Sequence, residues 1–219
     1  MKLKHTVVLA AAMALAGTAA AEVIDTTGSA RSSVAPFGNP DTATYGQTFT
    51  VGADHYLDSF SLYLSGTGTG TRLMGYVAGW DGTKATSILY SSDVRVTDLF
   101  GGMQEFHFDT GSLELTSGLK YVAFLSVSGL ANTPWTYNMP LGANSYAGGD
   151  FVYYNNGGNF AALTQNGWDC RECGWGDVAF KAVLSATAAT DLPEPASLAL
   201  LGFGLAGVAA ARGRRQARG

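Results

Sequence analysis

The sequence has 219 residues, enough for one domain with its own hydrophobic core. Its 13 basic and 17 acidic residues give a formal net charge of −4, which argues against a basic nucleic-acid-binding surface. Only 14% of the residues are charged, while 47% are hydrophobic and 29 are glycine. This composition excludes a disordered chain and favours turns and strands over helices.

The first 21 residues have the pattern of a secretory signal peptide. A basic start with Lys2 and Lys4 precedes an apolar run over residues 7–16. An alanine triplet follows and predicts removal by signal peptidase between Ala21 and Glu22. Ten apolar residues are too few to span a bilayer, which argues against a permanent anchor.

The pattern over residues 22–185 predicts an exported β domain. Apolar and polar residues alternate with the period of two typical of β-strands in residues 45–51, 57–64, 72–80, 87–90, 104–109, 119–128, 151–154 and 177–184. Glycine-rich and aspartate-rich joints are predicted between them at residues 66–70, 81–82, 101–102 and 155–159. We therefore expect an all-β protein, an antiparallel β-sandwich or jelly roll, followed by a small-residue linker at residues 186–192.

Cys170 and Cys173 form a Cys-x-x-Cys pair and are the two cysteines of the chain. In an exported protein such a pair most often forms a disulfide, which is our prediction. A redox role requires a βαβ context that the strand pattern does not provide. A zinc site requires more ligands, and His55 and His107 lie in distant segments. The redox and metal roles are the alternatives to the disulfide.

Acidic residues are numerous but scattered over loops and strand ends, as at Asp54, Asp58, Asp81, Asp150 and Asp177. Calcium binds oxygen-rich loops, but no EF-hand or nonapeptide calcium repeat is present in the sequence. Aspartate also favours turns and keeps protein surfaces soluble. We therefore predict no cofactor and no metal-ligand set, with a structural calcium ion as the alternative.

All four tryptophans lie in the predicted exported domain. Aromatic rings bind flat, hydrated sugar rings at little entropic cost. The candidates for contact with a glycan are Trp135, Tyr137, Trp168 and Trp175. The alternative is that strand aromatics fill the core, which the alternation favours for Trp80.

Catalytic motifs are absent from the sequence, which has no nucleophile elbow, no HExxH and no P-loop. Glu105 and Glu114 are the pair to consider for glycoside hydrolysis, but both fall at predicted solvent-facing positions without an apolar pocket to raise a pKa. The sequence predicts a protein that is not an enzyme, with a secreted jelly-roll hydrolase as the less favoured alternative.

The C-terminus has three parts. The stiff segment Pro193-Glu194-Pro195 precedes an apolar run over residues 196–211. A basic end follows, made of Arg212, Arg214, Arg215 and Arg218. A helix of the apolar run would be about 24 Å long, a little short for a permanent span, and the arginines should stay in the cytoplasm. This predicts a transmembrane sorting helix over residues 193–219, with an ordinary tail anchor as the alternative.

The run from Pro193 to Gly202, followed by the arginines, resembles the PEP-CTERM sorting signal of Gram-negative bacteria. The preceding β domain is similar to uncharacterised domains of such proteins. The resemblance implies cleavage by an exosortase near the Pro-Glu-Pro motif and a transient stay in the inner membrane. It also implies a final place on the cell surface or outside the cell, in association with exopolysaccharide and biofilm. It implies no defined activity for the β domain.

The sequence therefore predicts an exported, exosortase-processed, non-catalytic surface or matrix protein that associates with exopolysaccharide and binds no nucleic acid. The alternative function is a carbohydrate-binding module that uses its exposed Trp and Tyr rings with the assistance of calcium. The predicted exported segment is distinctly acidic, because residues 22–192 contain 16 acidic and 7 basic residues, a net charge of −9, between two basic ends.

Overall fold

The computed structural model describes residues 21–169 and 174–188. Its regular secondary structure is nearly all antiparallel β, with 62% of the residues in strands and 4% in helices. Its strands are β1 (Glu22–Asp25), β2 (Ala30–Asn39), β3 (Thr44–Thr50), β4 (Tyr56–Trp80), β5 (Ala85–Ser91), β6 (Arg95–Glu114), β7 (Lys120–Ser126), β8 (Trp135–Gly142), β9 (Phe151–Tyr154) and β10 (Phe180–Ser185). A single turn of 3-10 helix (Thr27–Ser29) and a short helix, α1 (Ala162–Gln165), complete it.

The strands form one curled sheet with the order β1-β10-β4-β7-β3-β9. Strand β4 produces the curl, because its 25 residues serve both halves of the sheet. Its first part pairs with β10 and β6, and its last part pairs with β7 and β5. The predicted all-β antiparallel class is confirmed, in the form of a curled sheet.

The main hydrophobic core lies on the inner face of the curl. Strand β4 contributes Phe60, Leu62 and Leu64, as the alternation predicts. Strand β10 alternates buried and half-buried residues along its whole length. The rings of Phe60 and Phe108 stack in this core with centroids 4.9 Å apart. Alternation along the strands therefore decides which residues fill the inside.

A second, smaller core lies on the outer face of the half formed by β4, β7 and β9. Its large residues include Tyr76, Phe124, Leu163 and Trp168. The segment after β9, including α1, covers this face and supplies Leu163 and Trp168. Strand β7 lies between the two cores and is buried on both faces, which explains its continuous apolar run.

Two glycine-rich segments that the sequence predicts as joints lie inside strands instead. Residues 66–70 belong to β4 and residues 101–102 belong to β6, where Gly66 pairs with Gly102. Gly68 has a φ of +135° and a ring packed directly on its Cα. The prediction is wrong here because glycine also serves where a strand bends or another group approaches closely.

Strands β1, β2 and β8 are not predicted by the alternation. Pro36 in β2 and Pro140 in β8 argue against strands, since proline has no N–H for the ladder. The two strands pair with each other, with Val34 opposite Met139 and a register shift between Val34 and Phe37. Irregular pairing of this kind leaves no simple period in the sequence.

The two ends of the described chain lie side by side. Strand β1 pairs antiparallel with β10, so that Glu22 is opposite Leu184. The predicted signal helix, sorting helix and Cys170–Cys173 pair lie outside the described residues, which include no helix long and apolar enough to cross a membrane. The segments before Glu22 and after β10 therefore leave the domain from the same end of neighbouring strands.

Candidate functional site

Two of the four aromatic glycan candidates belong to the interior, which corrects the prediction. Tyr137 is 2% exposed and Trp168 is 1% exposed. Tyr137 donates a 3.0 Å hydrogen bond to Thr71 Oγ1, and Trp168 Nε1 donates a 2.8 Å hydrogen bond to the carbonyl of Leu163. Their polar atoms thus have partners inside the protein, which allows these rings to fill a core. Neither ring is accessible to a sugar.

Trp135, at the start of β8, is 49% exposed and lies against the ribbon formed by β4 and β6. Its Nε1 donates a 2.6 Å hydrogen bond to the carbonyl of Thr67. A Cβ on Gly68 would come within 2.2 Å of the same nitrogen, so the ring fills the space above this glycine. On the same ribbon, Phe100 is 84% exposed. Trp135 is therefore a fixed, half-exposed ring.

Trp175 is the second half-exposed tryptophan, and it lies at the edge of the sheet near β9. Its ring is nearly parallel to the rings of Phe151 and Tyr153, with centroids 6.2 and 6.3 Å away. Trp175 is 49% exposed, whereas Phe151 is buried. The packing on one side holds the indole in place while part of it remains open to solvent.

A surface groove of about 350 Å³ lies on the outer face beside the second core. We call it the Trp80 groove; its lining residues are Thr48, Trp80, Asp81, Gly82, Lys120, Asp150 and Val152. The register explains this set, because Thr48 pairs with Val122, which pairs with Ala78 on the other side. Trp80 is two positions from Ala78 and Lys120 is two positions from Val122, so both lie on the same face as Thr48. Strands β3, β4, β7 and β9 therefore form the groove together.

Trp80 forms the aromatic wall of the Trp80 groove. Its partly exposed ring meets Trp168 edge to face, with centroids 5.6 Å apart and an interplanar angle of 83°. Trp168 in turn packs edge to face on Phe124 at 5.3 Å. The prediction that Trp80 faces a core is confirmed, since it packs against the second core. The sequence does not reveal that the same ring also borders a groove.

Asp81 shapes the turn at the rim of the Trp80 groove. Its Oδ1 accepts hydrogen bonds of 2.8 Å from both the backbone amide and the hydroxyl of Thr83. It also accepts a 2.9 Å hydrogen bond from the amide of Lys84. These bonds, above all the one from the Thr83 hydroxyl, lower the pKa of Asp81. Asp81 is thus an ionised turn residue that fixes the backbone around Gly82.

A Ser–His–Asp chain lies on the outer face of β4 and β6. Ser61 Oγ is 3.0 Å from His107 Nδ1, and His107 Nε2 is 3.1 Å from Asp109 Oδ1. The same residue types form the triad of serine hydrolases. Ser61 is only 2% exposed, however, so its hydroxyl cannot reach a substrate from this position. These three residues form a cross-strand hydrogen-bond network and do not provide an accessible nucleophile.

Glu105 and Glu114 lie nine residues apart on β6, opposite Tyr63 and Tyr56. At strand spacing this is roughly 25–30 Å, whereas glycosidase carboxylates are about 5–10 Å apart. Hydrogen bonds from the hydroxyls of Ser61 and Tyr63 lower the pKa of Glu105, opposite to the shift that a general acid needs. These two residues do not form a catalytic pair.

Asp177 is a candidate calcium ligand that serves the fold instead. It is fully buried, and its Oδ1 accepts a 2.8 Å hydrogen bond from Gln47 Nε2. Its Oδ2 accepts hydrogen bonds of 2.7 and 2.8 Å from the amides of Ser145 and Tyr146. Among residues 21–169 and 174–188, no group of three or more His, Cys, Asp or Glu side chains is placed to hold a metal ion.

Comparison with known proteins identifies the C-terminal segment. A family model described as the PEP-CTERM protein-sorting motif matches residues 191–215. The chain carries a PEP-CTERM sorting signal. The motif implies export, processing by an exosortase at the membrane and a destination at the cell surface. It lies outside the described residues, as do Pro193, Glu194, Pro195 and the arginines Arg212, Arg214, Arg215 and Arg218.

The β domain that precedes the PEP-CTERM signal has a distant structural neighbour. This neighbour is the crystal structure of the cysteine protease and lectin-like domains of Cwp84, a surface layer associated protein of Clostridium difficile. The sequence identity is 13% and the TM-score is 0.44. The match covers 67% of this chain and 32% of that one. A search of curated proteins finds no match.

The predicted cleavage site lies close to the strand that leads to the PEP-CTERM signal. The backbone nitrogen of Glu22 donates a 3.0 Å hydrogen bond to Asp54 Oδ2. Cleavage after Ala21 would turn this amide into an α-ammonium group beside the same carboxylate. Because β1 pairs with β10, the mature N-terminus would lie next to the strand that precedes the sorting signal.

Proposed function

We propose that this chain is a non-catalytic cell-surface or extracellular-matrix protein whose β domain associates with exopolysaccharide. The PEP-CTERM signal supports the destination. The association with a glycan rests on one observation: the rings of Trp135 and Trp175 are half exposed and are held in place by their neighbours. Rigid, half-exposed indoles present apolar faces to flat sugar rings at little loss of conformational entropy.

Processing at both ends would release the β domain from the inner membrane. Signal peptidase would cut after Ala21, and an exosortase would cut near Pro193-Glu194-Pro195. Both segments leave the domain from the same end, which fits a domain held at the membrane through neighbouring attachments before release. The surfaces around Trp135 and Trp175 are then free to contact material outside the cell.

Charge sets a condition on the partner polymer. Residues 22–192 have a net charge of −9, so the mature domain repels anionic polysaccharides at low ionic strength. An anionic exopolysaccharide should therefore bind only when cations such as calcium bridge the two, and a chelator should release it. A neutral polymer should bind with or without the chelator.

Affinity electrophoresis of the full chain in detergent, through gels containing exopolysaccharide from its host, tests the proposal. Retardation of the wild type is expected, and Trp135→Ala and Trp175→Ala should each weaken binding by roughly three- to tenfold. Leu119→Ala is the matched control, because Leu119 is also an exposed apolar residue, and should behave as the wild type. Lack of retardation, or release of new reducing ends from the polymer, would contradict the proposal.

A further inference from the structure

We propose that the Trp80 groove is a binding site for an uncharged sugar ring. This inference rests on the proposed association with exopolysaccharide and adds a site and a ligand class to it. The groove is separate from the surfaces of Trp135 and Trp175, since neither ring lines it; its lining comes from strands β3, β4, β7 and β9, the turn after β4 and Asp150. Its volume of about 350 Å³ lies at the small end of the range for ligand sites, which suits a short segment of a glycan.

The aromatic wall of the groove is already in position. Trp80 packs edge to face on Trp168, which is 1% exposed and anchored through its Nε1 to the carbonyl of Leu163. A ring fixed in this way loses little conformational freedom when a ligand stacks on it. A sugar ring has an apolar face of C–H groups, and an indole is well suited to contact that face.

Lys120 and Asp150 supply the polar contacts. Within the described part of the chain, the Lys120 ammonium and the Asp150 carboxylate make no ion pair and no side-chain hydrogen bond. Thr48 fixes the backbone at Asp150, because the Thr48 hydroxyl accepts a 2.8 Å hydrogen bond from the Asp150 amide. The groove therefore offers a strong donor and a strong acceptor, and adjacent sugar hydroxyls can satisfy both.

The charges of the groove select against an anionic ligand. Two carboxylates, Asp81 and Asp150, line it together with a single ammonium group, Lys120. Asp81 stays ionised in its turn, so a uronic acid entering the groove would meet a net negative charge. The whole exported segment adds to this repulsion with its net charge of −9. A neutral hexose or N-acetylhexosamine meets no such opposition.

Calorimetric titration of the full chain in detergent tests this inference. The probes are three neutral oligosaccharides (cellohexaose, maltohexaose and chitohexaose) and an alginate oligomer, all without divalent cations. We expect one neutral probe to bind and alginate not to bind. The double variant Lys120→Gln/Asp150→Asn keeps the net charge and should weaken binding by on the order of tenfold or more. Trp80→Ala should weaken it as well.

The matched control is Lys181→Gln/Asp98→Asn, which also leaves the net charge unchanged. It replaces two residues that do not line the groove. It should bind as the wild type. Full affinity in the Lys120→Gln/Asp150→Asn variant, or binding of alginate in preference to every neutral probe, would overturn the assignment of the groove. If the groove assignment fails but the Trp135→Ala and Trp175→Ala variants lose affinity for exopolysaccharide, the proposed function stands without the groove site. A wild type that binds neither the probes nor exopolysaccharide would overturn both.

Discussion

Each tryptophan in this domain is exposed or buried according to what its indole contacts. Trp168 has its Nε1 hydrogen-bonded to Leu163 and its ring enclosed by Trp80 and Phe124. Trp135 also has its Nε1 satisfied, by Thr67, and its ring lies over Gly68, but it remains 49% exposed. A satisfied N–H is thus compatible with either position. The number of faces that are packed makes the difference.

This is why the sequence predicts the glycan candidates only in part. The surroundings of Trp135 and Tyr137 are equally polar in the chain, and the two residues lie on the same side of β8, yet Tyr137 is in the core while Trp135, the first residue of the strand, is half exposed. Alternation along β8 would not have separated them, because residues two positions apart share a face; only the packing around each ring does so. The role of Trp80 is missed for a different reason, because a ring at the end of a buried strand can pack on a core and border a groove at the same time.

Tyr45 gives a prediction for alkaline stability. It is 2% exposed, and burial raises its pKa to about 12 from an ordinary value of 10.0. The folded state therefore holds the phenol proton more tightly than the unfolded state. The resulting stability is fully present below about pH 10 and is lost as the pH rises towards 12, at about 1.4 kcal/mol per pH unit.

Urea unfolding of the full chain at pH 9, 10 and 11 measures this loss. The free energy of unfolding should fall above pH 10 in the wild type and should fall less steeply in Tyr45→Phe. Tyr56→Phe, which removes a partly exposed tyrosine, is the control. Equal slopes for Tyr45→Phe and the wild type would show that Tyr45 does not couple folding to pH.

At the level of the strands, the sequence predicts well where alternation is regular. Each of the eight predicted segments overlaps an observed strand, and residues 151–154 coincide with β9, but 177–184 begins three residues before β10. Two of the segments, 57–64 and 72–80, are parts of the single strand β4. The glycines between them suggest a turn because their chemistry suits one, but only tertiary packing shows that the strand continues through them.

A substitution at Gly68 tests whether Trp135 packs on the ribbon formed by β4 and β6. Gly68→Ala should destabilise the domain, because its φ is +135° and the new Cβ would displace Trp135. Gly70→Ala is the matched control, since its φ is also positive but nothing lies within 4 Å of the new Cβ. We expect Gly68→Ala to be the more destabilising by about 1–3 kcal/mol in urea unfolding, with a red shift of Trp fluorescence. Equal effects would mean that Trp135 does not pack on Gly68.

For the whole molecule, the ends of the sequence are more informative than the middle. A sorting signal is a linear motif, so Pro193-Glu194-Pro195 and the arginines that follow identify it without any fold. A sugar site is a surface assembled from several strands, and the Trp80 groove joins residues from position 48 to position 152. Only the register of β3, β4, β7 and β9 brings those residues together.

The net charge of the whole molecule also hides a difference between its ends and its middle. The net charge of −4 combines an exported segment of −9 with two basic ends that processing is expected to remove. A protein processed at both ends would therefore be much more acidic than the full sequence indicates. In the proposed function, this difference decides whether an anionic polymer is repelled.

Fractionation of the host cells tests the central claim, that the chain is sorted to the surface and remains there with exopolysaccharide. We expect the wild type to be shortened at its C-terminus and recovered with the extracellular polysaccharide. Replacement of Pro193-Glu194-Pro195 by three alanines should leave a full-length C-terminus in the membrane fraction. Normal shortening of that variant, or a wild type that stays in the membrane or appears in the medium free of polysaccharide, would contradict the account.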